Sequence, residues 1–175
     1  MQATQIWKAV TKDTVDFLDE LIGLLAERGV RYCVIGGQAV NAFVEPLVSL
    51  DLDLVVASDQ IEELERSLPE RFQIERFSHS WNISAPGSNL RVQIQTDPRY
   101  FPFVGRASVR DVLGLPLPVA SMEDVLQGKV WAASDPERRA SKRRKDLLDI
   151  ERLIEAYPAL QAKIPPEISD RLARL

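Results

Sequence analysis

Two carboxylates separated by a single residue are the first feature of this chain with evident chemistry. Asp51 and Asp53 alternate with Leu52 and Leu54, a period of two that predicts a β-strand. Side chains two residues apart on a strand point to the same face, about 6.5–7 Å apart. Folding gains nothing from two like charges side by side, whereas Mg²⁺ binds through one or two carboxylates plus substrate phosphates. The pair is therefore a candidate metal site.

A pair of glycines supplies what a phosphate-binding turn needs. Gly36 and Gly37 follow the apolar run 32–35, which predicts a strand, and precede a short helix predicted over 38–44. Glycine lets the backbone approach a phosphate closely, and a helix N-terminus adds N–H donors. With Ser49 just ahead of the aspartates, the glycines and carboxylates together favour a nucleotide triphosphate site. The alternative is a plain strand–turn–helix with a solvent-facing aspartate pair.

Length, charge and cysteine content set limits on the class of protein. The chain has 175 residues, 45% of them hydrophobic, which predicts one domain or one domain with a small helical appendage. The formal net charge of −4 means that any contact with a nucleic acid depends on a local basic patch. One cysteine, Cys33, excludes an intramolecular disulfide and a cysteine-based zinc cluster. Because no apolar run has the length of a signal or membrane segment, we expect a cytoplasmic protein without a membrane partner.

The elements that position these residues follow an α/β order. Apolar residues at helical spacing predict a helix over 13–28, ended by Gly29, and a third helix over 59–72, capped by Ser58-Asp59. Short alternating runs then predict antiparallel strands that extend the same sheet, over 72–77, 81–85 and 90–95. A loop over 96–105 should pack down on the domain, and 107–119 should hold one more short strand.

The last third of the chain is predicted to be helical. One helix begins at a capping box formed by Ser121 and Asp124, and a longer helix follows over 137–158. A short helix ends the chain. We therefore expect an α/β core over 1–119 and a helical segment over 120–175 packed on it as one structural unit.

Six cations within eight residues, Arg138 to Lys145, form a basic cluster at the start of the long helix. A charge run is most often a solvated helix face. However, like charges repel one another, and cations at a helix N-terminus oppose the helix dipole. This cost favours a phosphate-binding patch for RNA, for a triphosphate or for an acidic protein partner.

Four segments in order, IGGQAV, SLDLDLVV, EDVLQGKVWA and RRKDLLDIERLI, give the chain a family resemblance. It resembles the nucleotidyltransferase superfamily with the polymerase-β-like fold, and within it the AbiEii-type branch. That branch includes toxins of toxin–antitoxin pairs, some of which modify transfer RNA ends. The resemblance implies a mixed sheet flanked by helices, Mg²⁺ or Mn²⁺, an NTP substrate, and an RNA, tRNA or other acceptor. It also implies an antitoxin protein as partner.

The resemblance also implies roles for individual residues. Asp51 and Asp53 would hold the catalytic metal, and the triphosphate would be lined by Gly36, Gly37 and Ser49. Lys129 would reach nucleotide phosphates and Asp146 would complete the catalytic site from across the cleft. From the residues alone, Lys129 could equally extend into solvent, and the acidic pair Asp146 and Asp149, three apart on a helix, is typical of a solvated face.

One position departs from the family pattern. Polymerase-β-like enzymes usually place a third carboxylate on a later strand facing the aspartate pair, where this chain offers Gln93 and Gln95. Two hypotheses follow. The chain is a metal-dependent nucleotidyltransferase, or it is a catalytically lapsed module of that fold that binds a nucleotide or a protein partner.

Overall fold

One seven-stranded mixed sheet organises the protein, in a computed structural model that describes residues 8–9, 11–12, 16–112 and 114–175. The strands are β1 (Tyr32–Ile35), β2 (Asp51–Val56), β3 (Gln73–Arg76), β4 (Ser80–Ser84), β5 (Arg91–Gln95), β6 (Ser108–Val112) and β7 (Leu115–Val119). Their order in the sheet is β3-β4-β5-β2-β1-β7-β6. The β1–β7 and β2–β5 pairs are parallel, and the other neighbouring pairs are antiparallel.

Helices flank this sheet and make up most of the C-terminal third. From residue 16 onward the α-helices are α1 (Phe17–Glu27), α2 (Gly36–Asn41), α3 (Ile61–Ser67), α4 (Met122–Ser134), α5 (Ala140–Ala156) and α6 (Pro166–Leu172). Short 3₁₀ segments occupy Leu68–Glu70, Pro98–Arg106 and Pro158–Lys163. Among the described residues, no helix is long and apolar enough to cross a membrane.

The first helix forms as its apolar spacing predicts. It buries its inward stripe, which includes Leu18, Leu21 and Leu25, and the chain leaves it through Gly29 at a positive φ of 61°, a conformation that favours glycine. The prediction of a helix over 13–28 is confirmed for residues 17–27, and its start at 13–15 lies outside the described residues.

The alternation of β2 and β5 is what presents a polar face to the site. Leu52 and Leu54 are fully buried, as are Val92 and Ile94 on the neighbouring strand, so the residues between them point to the opposite face. Parallel register sets Asp51 opposite Arg91 and Asp53 opposite Gln93. The predicted strands β3 to β5 are confirmed as mutually antiparallel, but β5 joins β2 in parallel.

Three local predictions need correction. The second helix begins two residues early, at Gly36, and ends at Asn41. The third begins at Ile61 with Gln60 as its N-cap, because Asp59 accepts two hydrogen bonds from Arg31 instead of capping the helix. The segment 107–119 holds two strands, β6 and β7, rather than one.

The C-terminal helices close over the polar face of the sheet. The predicted helix start at Ser121 is confirmed, since the Asp124 N–H donates to Ser121 Oγ at 3.2 Å, but the Asp124 carboxylate accepts from Arg106 at 2.8 Å instead of completing the capping box. Helices α4 and α5 pack against each other, and both contact α2. The terminal helix α6 docks through the buried Ile168 and through Arg171, which donates to the carbonyl of Ala133 at 2.6 Å.

Candidate active site

A cavity of about 220 Å³ lies between the polar face of β2 and β5 and the helices α4 and α5. The sequence-predicted site residues all line it, namely Gly36, Gly37, Ser49, Asp51, Asp53, Lys129 and Asp146. They come from α2, the loop before β2, β2 itself, α4 and α5. The fold therefore brings residues from five parts of the chain into one place.

Gly36 leaves the space that the Asp53 carboxylate occupies. Gly36 has a positive φ of 68°, and a Cβ built on it would lie 2.1 Å from Asp53 Oδ2 and 2.9 Å from Asp53 Cγ. No side chain fits there. The sequence predicted a glycine for close approach of a phosphate, and the structure adds a second reason: Asp53 packs directly on the glycine backbone.

The charged form of Asp53 is disfavoured in this position. Burial raises the pKa of this carboxyl above its ordinary value, and the charge of Asp51 adds to the effect. Lys129, Arg138 and Lys145 act in the opposite direction, but the net shift is upward. An ionised Asp53 in this position lacks sufficient positive charge around it, which is the condition a bound cation would relieve.

Asp51 is more open and already has cationic neighbours. Its Oδ1 lies 2.8 Å from Arg91 Nε, and its Oδ2 lies 3.7 Å from Lys142 Nζ. Its backbone N–H donates to Ser49 Oγ at 3.3 Å. Ser49 is thereby tied to the start of β2, and its hydroxyl lies beside the aspartate pair.

Lys129 is a buried cation held by two acids. It is only 7% exposed, and its Nζ lies 3.0 Å from Asp146 Oδ1 and 2.7 Å from Asp149 Oδ2. Burial alone lowers the pKa of Lys129, but the two carboxylates outweigh it and the net direction is upward. Lys129 is therefore charged at neutral pH, and the alternative that it extends into solvent is wrong.

The two acids on α5 are buried rather than solvated. Asp146 and Asp149 are 1% and 2% exposed, so the interpretation of an i, i+3 pair as a solvated face is wrong here. Asp146 uses its second oxygen on Arg138, whose Nε lies 2.7 Å from Oδ2. With both oxygens engaged, Asp146 orients two cations toward the cavity.

The basic cluster divides by direction. Arg138, Lys142 and Lys145 line the cavity, whereas Arg139 and Arg144 are exposed. A further member, Arg143, turns back and donates to the carbonyls of Asp135 and Pro136, both at 3.4 Å. The site thus combines two carboxylates on the strand with two cations on the facing helix, Lys142 and Lys145, and with Arg138 just before that helix begins.

An aromatic wall closes another side of the cavity. Tyr100 and Phe103 come from the 3₁₀ segment after β5 and meet edge to face, with their ring centroids 5.3 Å apart. Gly128 gives Tyr100 its place, because a Cβ there would lie 3.2 Å from Tyr100 Cε1. Burial raises the pKa of Tyr100 to about 12, so its hydroxyl stays a hydrogen-bond donor at neutral pH. The loop prediction for 96–105 is confirmed in its packing.

The donor set fits a magnesium-type ion in the way such ions bind in nucleotide sites. Among the described residues, no group of three or more acidic, histidine or cysteine side chains is placed to hold a metal. Two carboxylates on one strand face, one of them with a raised pKa, match an ion that takes one or two carboxylates and completes its shell with phosphates. The residues Asp51 and Asp53 fit that role.

Three contributors escaped sequence reasoning. Arg91 pairs with Asp51, and Asp149 with Arg152 extends the buried ion network on α5. A signal for Asp149 existed, since it falls within the stripe of Leu147, Ile150 and Leu153 that faces inward. Arg91 had no signal, because an arginine on a polar strand face is ordinary.

A family model and solved structures match this chain. Residues 35–173 match the family model described as the nucleotidyl transferase AbiEii toxin of a type IV toxin–antitoxin system. No curated protein matches the chain.

Among solved structures, the chain is similar to the antibiotic-resistance factor ANT(2'')-Ia, with a TM-score of 0.56 and 15% identity over 86% of this chain and 94% of that one. It is also similar to the lincosamide antibiotic adenylyltransferase LnuA, with a TM-score of 0.54 and 13% identity over 81% of this chain and 99% of that one. A third similar structure is an antigenic nucleotidyltransferase-like protein from Paracoccidioides brasiliensis. It has a TM-score of 0.52 and 19% identity over 93% of this chain and 94% of that one. These likenesses show the fold, and the predicted fold class is confirmed.

Proposed function

The chain belongs to the AbiEii nucleotidyltransferase family, and on that premise we propose that it transfers a nucleotidyl group from an NTP to an RNA acceptor, transfer RNA among them. We further propose that the reaction depends on Mg²⁺ or Mn²⁺ and that the chain is the toxin of a toxin–antitoxin pair. An antitoxin protein is then its partner.

One observation carries the proposal. Asp53, packed on a glycine and short of positive charge, shares a cavity with Asp51 and with three cations at the start of α5 and just before it. Carboxylates for a metal and cations for phosphates are the two requirements of nucleotidyl transfer, because its catalysis is mostly positioning and charge stabilisation. A solvent-facing aspartate pair explains neither the glycine nor the cations.

Each residue then has a role that its position supports. Asp51 and Asp53 would hold the metal, which when bound stabilises charge at the transferring phosphoryl group. Gly36 and Gly37 open α2, where the first backbone N–H groups have no partner within the helix and can donate to phosphate oxygens. Lys129 keeps its charge at neutral pH and lies where it can offset the charge of the departing pyrophosphate.

The bond changes follow from this arrangement. An acceptor hydroxyl oxygen bonds to the α-phosphorus, the bond from the α-phosphorus to the bridging oxygen breaks, and pyrophosphate leaves. The hydroxyl proton passes to solvent water, because the strand beside Asp53 offers the neutral amides of Gln93 and Gln95 rather than a carboxylate. Cations of the basic cluster that face the cavity, Arg138, Lys142 and Lys145, neutralise phosphates of the NTP and the RNA.

A transfer assay tests the proposal. Each α-labelled NTP is incubated with the protein, Mg²⁺ or Mn²⁺, and total RNA, and a variant carrying both Asp51→Asn and Asp53→Asn runs beside it. We expect label on RNA with the wild type alone, and loss of label when the metal is chelated. Label that persists in the double variant would contradict the assigned roles.

A second candidate function rests on one observation. The residue opposite Asp53 in the β2–β5 register is Gln93, which can neither take a proton nor anchor a second metal as a carboxylate does. This favours a module that binds a nucleotide, or a protein partner, without transferring anything. It predicts NTP affinity that is unchanged by chelator, measured by calorimetry, together with no label transfer from any NTP in a folded sample.

A further inference from the structure

A chain of polar contacts leads from Lys129, at the cavity, to Arg152, which has no role in the proposed reaction. Asp149 pairs with Lys129 through Oδ2 at 2.7 Å, and its Oδ1 lies 2.8 Å from Arg152 Nη1. The Arg152 side chain is only 14% exposed. A mostly buried guanidinium needs several acceptors, and Asp149 satisfies one of its nitrogens.

The other nitrogen of Arg152 reaches the loop between α2 and β2, residues 42–50. Its Nη2 donates to the carbonyl of Glu45 at 2.5 Å and to Asn41 Oδ1 at 3.1 Å. The Arg152 guanidinium therefore joins helix α5 to a loop more than a hundred positions earlier in the chain. Asp149 fixes the other nitrogen of that guanidinium.

Asn41 spreads this hold along the loop. Its amide nitrogen donates to the carbonyl of Leu47 at 2.7 Å, and its Oδ1 accepts from the Leu47 N–H at 3.0 Å. Its amide also donates to Gln38 Oε1 at 3.2 Å, and Gln38 Nε2 donates to the carbonyl of Ser49 at 3.2 Å. The path ends at Ser49, whose hydroxyl accepts from the Asp51 N–H.

Packing does little to fix the middle of this loop. Leu47 and Val48 are 50% and 79% exposed, so neither side chain anchors the segment in the core. Other support lies at the two ends of the loop. At its start the Tyr157 hydroxyl donates to the carbonyl of Phe43 at 3.0 Å and Arg110 lies over the Phe43 ring. At its end the carbonyl of Leu50 accepts from the Arg91 N–H at 3.0 Å. The order of residues 45–49 therefore depends on polar contacts. Arg152 holds Glu45, Asn41 holds Leu47, and Gln38 holds Ser49.

We infer that Asp149 and Arg152 are positioning residues, which fix the loop and Ser49 against the aspartate pair and tie that geometry to Lys129. The structural part of this inference stands on the contacts alone, and its kinetic consequence rests on the proposed function. Neither residue lines the cavity. Their effect passes through Asn41, Gln38 and Ser49.

One substitution separates positioning from folding. Arg152→Lys keeps a cation beside Asp149, so no buried acid is left unpaired, but an ammonium cannot reach both Asp149 and the loop acceptors as the guanidinium fork does. Glu155→Ala is the matched control on the same helix, because Glu155 is exposed and makes no ion pair or hydrogen bond among the described residues.

Hydrogen exchange followed by mass spectrometry reads the loop directly, on the full chain and without substrate. In Arg152→Lys we expect peptides covering 42–50 to exchange at least tenfold faster than in the wild type, while peptides of β4 and β5 are unchanged. Asn41→Ala should reproduce the pattern and Glu155→Ala should not. Wild-type exchange of the loop in Arg152→Lys would overturn the inference.

Kinetics then test the consequence for the site. We expect Arg152→Lys to lower kcat/KM for the NTP by about tenfold, since small misplacements of binding groups have effects of this size or larger. The loss should appear mainly as a raised KM, because Ser49 lines the triphosphate. A uniform fall of kcat with unchanged KM would contradict this assignment.

The two readouts keep the two proposals apart. If the wild type transfers no nucleotide but Arg152→Lys loosens the loop, the proposed function fails and the positioning role stands. If the wild type transfers nucleotide and Arg152→Lys exchanges and reacts as the wild type does, the positioning role fails and the proposed function stands.

Discussion

The lack of a Cβ at Gly36 leaves the space in which the Asp53 carboxylate lies. Replacing it with alanine puts a Cβ 2.1 Å from Asp53 Oδ2 at a backbone φ of 68°. The left-handed conformation alone costs about 1–2 kcal/mol for a residue with a Cβ. We expect Gly36→Ala to lower the free energy of unfolding by at least that amount in urea titrations, and to lower transfer about a hundredfold because Asp53 is displaced.

The adjacent glycine supplies the matched comparison for stability. A Cβ on Gly37 meets nothing within 4 Å, and the residue lies in α2 without a positive φ. Since alanine favours a helix over glycine by up to about 1 kcal/mol, Gly37→Ala should leave the free energy of unfolding unchanged or raise it. Equal losses in the two variants would contradict the contact between Gly36 and Asp53.

Asp53 gives a prediction that depends on pH. Because its pKa is raised in the folded state, chiefly by burial, the folded protein holds this proton more tightly than the unfolded chain does. That contribution is present below the unfolded pKa and is lost as the pH rises through the folded pKa. The contribution of Asp53 to the stability of the metal-free fold therefore falls as the pH rises.

Asp53→Asn should accordingly be more stable than the wild type in chelator at pH 7, by about 1 kcal/mol or about 3 °C in Tm. The gap should shrink as the pH falls, because the wild-type carboxyl then takes up its proton. Calorimetry over pH 4–8 measures it. A gap that stays constant with pH would show that ionisation of Asp53 is not its cause.

The helices α4 and α5 are joined by a buried ion network, and this sets the effect of removing Lys129. Without its ammonium, Asp149 keeps only Arg152 and Asp146 only Arg138. Breaking a buried ion pair from one side costs about 3–5 kcal/mol. We expect Lys129→Met to lower the free energy of unfolding by about 3 kcal/mol in urea, so a loss of activity in this variant reports stability as well as chemistry.

An exposed lysine provides the control for that measurement. Lys163→Met lies at the surface and should change the free energy of unfolding by less than about 0.5 kcal/mol. Adding Asp149→Asn to Lys129→Met should cost less than the two single changes together, because the pair interacts directly. Strict additivity would contradict the coupling.

Local pattern predicted the elements wherever apolar spacing alone decides them. The strands β1, β2 and β5 and the helix α1 carry their periods openly, so the polar face with Asp51 and Asp53 followed from the sequence. The hairpin β6–β7 did not, because Pro116 and Pro118 argue against a strand. They are accommodated because β7 pairs with β1 only where Val119 meets Val34, so few backbone donors are needed on that side.

Contacts between distant segments are what sequence could not give. Asp149 and Arg152 have the composition of a solvated helix face, and their burial depends on how α5 lies against α2 and α4. The same holds for Arg91, which becomes relevant only through the parallel register that sets it opposite Asp51. Tertiary packing overrides the local preference at each of these positions.

At the scale of the whole molecule, an acidic chain places three of its cations at one cavity. The net charge is −4, yet Arg138, Lys142 and Lys145 converge on the cavity. Binding of RNA should therefore weaken steeply with salt, with a slope of log K against log[salt] of about −0.7 for each phosphate contact to a single strand. We expect Lys145→Ala to reduce that slope by about 0.7 in filter-binding titrations.

A lysine outside the cavity tests whether the effect is local. Lys163→Ala changes the net charge by the same amount but lies in the 3₁₀ segment after α5, and it should leave the slope as it is. If both variants reduce the slope equally, overall charge governs binding and the three cations at the cavity have no special part in it.

The missing side chain at position 36 has a consequence for descent. As long as an acid stands at position 53, a mutation that gives position 36 a Cβ is harmful. Selection that retains the acid therefore also retains the glycine. Once the acid is gone, only the left-handed backbone still favours glycine at position 36, so the pressure against a larger residue falls. A larger residue at position 36 of a related chain would therefore indicate that the acid at position 53 had been lost first.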